Sequence, residues 1–265
     1  MQNAALAALL ASISCGIIGS YVVAKRMVFI SGGITHASFG GVGLAYFLGI
    51  NPLLGALVFS ILSAMGIRVA SRYGEIREDS AIGILWSLGM ALGIIFIFLT
   101  PGYAPNLMTY LFGSILTVTS ADLQLMLLLA IVTIVLFALF YRIILYVAFD
   151  EEYARSHKLP VGLINNLLLI LIALAIVLHI RVIGIILVIS FLSIPQSIAN
   201  LLVADMRKMM VLSVIISFTG SMIGLWLSYS WNIPAGATII SVFVCLYLII
   251  KSTLWLVGKM GKVNS

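Results

Sequence analysis

Residues 123–147, LQLMLLLAIVTIVLFALFYRIILYV, run for 25 positions with a single charge, Arg142. About 20 apolar residues cross the hydrocarbon core of a bilayer, so this stretch reads as a transmembrane helix. Working outward, eight more stretches share its character: 4–24, 28–49, 52–70, 80–99, 164–180, 182–203, 210–230 and 235–257. Of 265 residues, 63% are hydrophobic and only 8% charged, with a mean hydropathy of +1.26. A soluble domain carries about 25% charged residues, so this chain cannot coat a water-facing surface. A soluble enzyme, a nucleic-acid binder and a disordered protein are excluded. The expectation is an all-α, polytopic membrane protein with about eight to nine transmembrane helices, forming one domain over residues 1–265. Segments 28–49 and 182–203 are short enough to be broken or re-entrant instead.

Charge placement supports the assignment. With the N-terminus outside and one crossing per segment, only Arg181 of the 14 Lys and Arg residues falls outside. That is the bias of the positive-inside rule, and it puts the C-terminus in the cytoplasm. The net charge of +6 therefore reflects topology and not nucleic-acid binding. The first segment has neither a basic n-region nor an A-x-A site, so it reads as a retained helix. Cys15 and Cys245 both lie in apolar segments and read as small core residues. No Gly-x-x-x-x-Gly-Lys-Ser/Thr loop is present; any ATP must be handled by another chain.

Ionisable residues at membrane depth are costly and so mark function. His36 is the main candidate. It lies in the run Ser31-Gly32-Gly33-Ile34-Thr35-His36-Ala37-Ser38-Phe39-Gly40-Gly41-Val42-Gly43, and imidazole suits zinc, manganese or iron. The alternative is a neutral histidine bonding a neighbouring helix. The glycines themselves fit either tight helix packing or an irregular helix lining a path. His179, beside Arg181, is expected at the outer interface, and His157 in solvent. Ser190, Ser193, Gln196, Ser197 and Asn200, with Pro195 breaking their helix, form a polar stripe that is either lining or interhelical glue. No carboxylate falls mid-span and no closed tetrahedral site can be assembled, so transit is expected rather than storage. Residues 148–163 hold the longest charged stretch. Asp150 can cap a short helix carrying Glu151, Glu152, Tyr153, Ala154 and Arg155, with Leu159 and Pro160 ending it. This is either a solvated connection or a docking element. Tyr103, Pro105 and the run from Leu107 to Gly113 are expected to form an interfacial or re-entrant turn.

Taken together these pieces resemble the membrane permeases of ABC importers for zinc, manganese and iron. Gly32 to Gly49 is similar to the second-helix signature, in which an Asp usually stands four residues before the His. Leu107-Met108-Thr109-Tyr110-Leu111-Phe112-Gly113, Thr117-Val118-Thr119 and Asp122-Leu123 are close to the zinc-uptake branch. Phe149 to Val161 resembles the cytoplasmic loop, Gly184 to Pro195 the seventh-segment motif, and Pro234-Ala235-Gly236-Ala237-Thr238 the late Pro-Ala-Gly turn. The resemblance implies a permease dimer (a homodimer expected) in a bacterial inner membrane. Two ATPase subunits would dock below, and an extracytoplasmic metal-binding protein above. The chain would bind no cofactor of its own; it would pass a divalent metal ion, zinc first, along a path lined by His36, with Thr35 and Gln196 as further lining. The loop from Asp150 to Pro160 would couple to the ATPase. Gly32 stands at the Asp position and Lys158 where the family commonly has Gly. The missing acid leaves manganese, iron or a non-metal substrate open. A stand-alone secondary transporter would need intramembrane carboxylates or repeats, and an intramembrane enzyme a deep catalytic pair; neither is visible.

Overall fold

A computed structural model of the chain describes residues 2–74, 76–101, 113, 115 and 118–263. The expected turn at Tyr103, Pro105 and Leu107–Phe112 lies outside the described residues. Among the described residues ten helices follow one another: α1 (Gln2–Ala24), α2 (Val28–Phe47), α3 (Pro52–Tyr73), α4 (Glu78–Leu99), α5 (Ser120–Phe149), α6 (Glu151–Ser156), α7 (Val161–Ile183), α8 (Ile185–Leu202), α9 (Met206–Trp231) and α10 (Ala235–Val263). Among the described residues nine of them are long and apolar enough to cross a bilayer. The two short segments, now α2 and α8, are each one continuous helix.

The helix ends follow from local sequence. Asn51 accepts a hydrogen bond from the Leu53 N–H at 2.9 Å and Pro52 occupies the first turn, where its missing N–H costs nothing. Thr119 and Asp122 form a reciprocal capping box at the start of α5. Gly184, at φ +83°, permits the bend between α7 and α8, a conformation that side chains disfavour. Pro195 does not break α8. A proline leaves the carbonyl four residues earlier unpaired; here that carbonyl, Phe191, accepts the Gln196 side-chain amide at 2.8 Å. The neighbouring residue repairs the bond that Pro195 removes.

Packing divides the helices into two groups. In one, α2 packs chiefly on α4 and α3; in the other, α1 packs on α9, α5 and α8, with α10 outside against α9 and α8. Although α1 and α2 are consecutive, they touch little; α7 reaches both groups through α3, α5 and α2. The glycines of α2 act as contact surfaces and not as irregular backbone. A Cβ on Gly40 would lie 2.9 Å from the Gly89 carbonyl, and one on Gly89 only 2.5 Å from the Ala37 Cα. Gly41 meets Gly55, and Gly43 meets Gly93, in the same way. Cys15 is buried as expected, but Cys245 is exposed, because α10 lies at the edge of the bundle.

Replacing Gly89 by leucine forces α2 and α4 apart, an overpacking cost of about 1–3 kcal/mol or more. Gly83, on the same helix, has open space around it. Thermal unfolding of detergent-solubilised protein should show a clearly lower midpoint for Gly89→Leu than for Gly83→Leu. Equal midpoints would contradict backbone contact as the basis of the α2–α4 interface.

Candidate functional site

His36 sits midway along α2, seven residues after Phe29 and so on the same face. It is half-buried. Its ring lies flat on Trp86 of α4, with centroids 4.1 Å apart and planes 7° apart, while Phe29 approaches the same indole at 6.5 Å. The His36 Nδ1 is buried without a hydrogen-bond partner among the described residues. Thr35, fully buried, is turned to another side of α2, where its hydroxyl donates to the Ser31 carbonyl at 2.6 Å. Ser38 likewise donates to the Thr35 carbonyl. Among the described residues no group of three His, Cys, Asp or Glu side chains could hold a metal ion. One imidazole, with the neighbouring hydroxyls turned to their own helix, does not form a closed cage for a metal ion among the described residues.

The polar stripe of α8 is divided between neighbours. Gln196 is fully buried and spans to α1, donating to the Cys15 carbonyl at 2.8 Å as well as to Phe191. Ser193 and Ser197 bond their own helix and flank a cavity of about 170 Å³ beside Val244 and Tyr247 of α10, and Asn200 is exposed. Among the described residues, His36 and Gln196 therefore meet different helices and share no hydrogen-bond or stacking partner. His179, near the end of α7, is enclosed by protein rather than exposed. It is 0% exposed, with Nδ1 2.6 Å from the Ala175 carbonyl and Nε2 3.0 Å from the Ser14 hydroxyl of α1. Because a carbonyl only accepts, Nδ1 carries the proton, and in the neutral ring Nε2 accepts from Ser14. Sequence position alone could not reveal that α1 covers this residue. Arg181 pairs with Asp122, the α5 cap, at 3.2 Å. His157 is exposed, as expected.

At the opposite, basic end, the charged stretch forms the short helix α6. Asp150 caps it, accepting from the Tyr153 N–H at 2.8 Å. Lys158 closes it in the left-handed region at φ +56°, with the Leu159 N–H reaching back to the Ala154 carbonyl. That conformation favours glycine and explains why glycine suits this position. Ala154 is buried, whereas Glu152, Tyr153 and Arg155 face outward, Leu159 is half-buried and Pro160 exposed. Sequence reading missed the anchor, Lys25 at the end of α1. Its ammonium donates to Glu151 at 3.1 Å, to the Val147 carbonyl at 2.9 Å and to Asn165 of α7 at 3.3 Å. Glu151 also accepts from Arg155 at 2.7 Å, and Tyr21 of α1 donates to Asn165. Partial burial works to raise the Glu151 carboxyl, but hydrogen bonds from Arg155 and Lys25 outweigh it and hold the group below the usual carboxylate range. Nothing in the sequence distinguished Lys25 from the other basic residues near the helix ends. Trp86, likewise, gave no signal beyond its apolar setting.

Two cavities open on α7 where it meets the α2–α3 group. The one at the basic end, about 370 Å³, is lined by Tyr21, Lys25, Arg68, Glu78, Glu151 and Asn165 among others. The other, about 410 Å³, includes Ser38, Asn51, Ala56, Val177 and Arg181. Paired cavities at opposite ends of one helix seam suit a machine that opens alternately to its two sides.

Comparison with known proteins agrees with this geometry. Residues 1–253 match the ABC 3 transport family. The chain belongs to that family. It is a multi-pass protein of the bacterial cell membrane. It is 46% identical over 249 residues, 94% of this chain and 89% of the other, to an uncharacterised membrane protein of Synechocystis. It is 34% identical, at the same coverage, to the manganese transport system membrane protein MntC of Listeria monocytogenes. The solved structure of PsaBC from Streptococcus pneumoniae, in complex with Fab, superposes with a TM-score of 0.84. The identity there is 32%, covering 94% of this chain and 90% of that one.

The Lys25–Glu151 anchor predicts a pH dependence. Because the Glu151 carboxyl is depressed in the fold, the anchor is complete above the ordinary carboxylate range and is lost as pH falls through the lowered value. Being partly exposed, the pair contributes on the order of 1 kcal/mol or less. Hydrogen exchange at neutral pH should therefore quicken across residues 150–158 in Glu151→Gln and stay unchanged in Glu152→Gln. Equal protection in both variants would remove the anchor from the account.

Proposed function

We propose that the chain is the transmembrane permease subunit of an ATP-driven importer of divalent metal ions, manganese foremost. The observation that carries this reading is its similarity over 94% of its length to a membrane protein named for manganese transport. The chain performs no covalent chemistry. Two copies enclose the path, with ATPase subunits docked at the basic end, which faces the cytoplasm, and an extracytoplasmic metal-binding protein at the other. The exposed face of α6, carrying Glu152, Tyr153 and Arg155, sits in the ATPase. Lys25 ties that helix to α1 and, through Asn165, to α7, the helix along which both cavities open. ATP-driven movement of α6 thus reaches the seam.

His36 supplies the deep contact for the ion. Zinc is the second reading, favoured by one observation: the donor set is an imidazole with no carboxylate beside it. Manganese suits carboxylate, carbonyl and water oxygen more than zinc does. Gly32, one turn before His36, leaves room for the absent acid, since the nearest atom to a Cβ there is a Trp86 ring carbon at 4.0 Å.

With the assembled complex in proteoliposomes, ATP should drive manganese uptake. His36→Ala should reduce it about tenfold or more while co-purification with the ATPase persists. Gly32→Asp should increase it. Normal uptake by His36→Ala would sink the path assignment, and uptake without ATP would return the secondary-transporter reading.

A further inference from the structure

Among the described residues, Trp86 is the aromatic side chain in flat contact with the His36 ring, and the surrounding packing holds it there. On α4, Ile82 precedes it and Gly89 and Gly93 follow it. These three residues meet Gly33, Ala37 and Phe39 of α2 at contact distance, so the two helices are locked on both sides of the stack. The indole also borders position 32, with its nearest ring carbon 4.0 Å from where a Cβ there would lie. A near-parallel stack is an arrangement that aromatic rings favour when they are offset, and it leaves the Nδ1 of His36 without a hydrogen-bond partner among the described residues. Positive charge on the imidazole strengthens the contact further. A metal-bound imidazole is cationic and electron-poor, and the face of an indole is the strongest aromatic attractor of such a group.

We propose that Trp86 is the specificity-determining residue of the His36 site, favouring cations that bind imidazole over those that require oxygen. The proposal rests on His36 lying in the ion path. The indole supplies negative potential without contributing a ligand, so it strengthens a nitrogen-bound transition-metal ion. Magnesium and calcium take oxygen ligands and gain nothing from it. The site discriminates against these abundant ions without the carboxylate that would also attract them.

The test uses the assembled complex. In proteoliposomes, Trp86→Leu should raise the half-saturating manganese concentration roughly threefold to thirtyfold and make calcium a better competitor. Trp86→Phe, which keeps an aromatic face, should recover much of the loss. In detergent, manganese should quench a component of tryptophan fluorescence that is missing from both Trp86→Phe and His36→Ala. If His36→Ala transports normally, the path reading fails and this proposal with it. If His36→Ala loses uptake while Trp86→Leu keeps both its half-saturation and its rejection of calcium, the path stands and Trp86 is packing alone. Quenching that persists in Trp86→Phe would also overturn the proposal.

Discussion

The backbones of α2, α3 and α4 approach one another more closely than side chains permit, and the rest of the arrangement depends on that approach. In a bilayer there is little hydrophobic force to bring helices together, so close van der Waals contact between small residues does the work. Gly40 and Gly43 of α2 meet Gly89 and Gly93 of α4, while Gly41 meets Gly55 of α3. This makes the three helices one unit. It also sets the face of α2 that packs on α4, and His36 lies on that same face, four and seven residues before Gly40 and Gly43. A histidine at this depth is tolerable only with a purpose or a partner; here its ring partner is Trp86, carried by the helix that the glycines lock in place.

A second unit forms around α1, and the seam between the two follows α7. Polar bonding within the second unit is sparse and local. Gln196 serves two needs with one amide, replacing the bond lost at Pro195 and tying α8 to α1. His179 is held against Ser14. At the basic end Lys25 gathers Glu151, Asn165 and the end of α5 into one cluster. Movement of α6 cannot occur without moving α1 or α7 unless that cluster breaks. A short amphipathic helix that is anchored on one face and open on the other suits transmission better than simple connection.

Much of the fold was legible because membrane spans are written in composition. Runs of about 20 apolar residues can hardly mean anything else, and all nine expected segments correspond to helices. The cap at Asp150 could be read from residue type alone. Interhelical facts could not. The face on which Gln196 lies was readable, but not that α1 covers it. His179 looked interfacial from its place near a segment end, yet a neighbouring helix buries it. Pro195 read as a break because its repair lies in the side chain of the next residue. Trp86 and Lys25 were invisible as site residues, since their roles come from stacking and bonding across helices far apart in sequence. The Gly32 departure was legible, and its consequence only became physical once the indole was seen standing there.

The most direct test of the account is the total metal content of cells with and without this gene, measured by mass spectrometry under metal-limited growth with other importers removed. The account predicts a selective fall in manganese or zinc in the deletion, recovered by the intact gene. Metal contents that are unchanged across the transition series would contradict it and move the search to a non-metal substrate for the same machine.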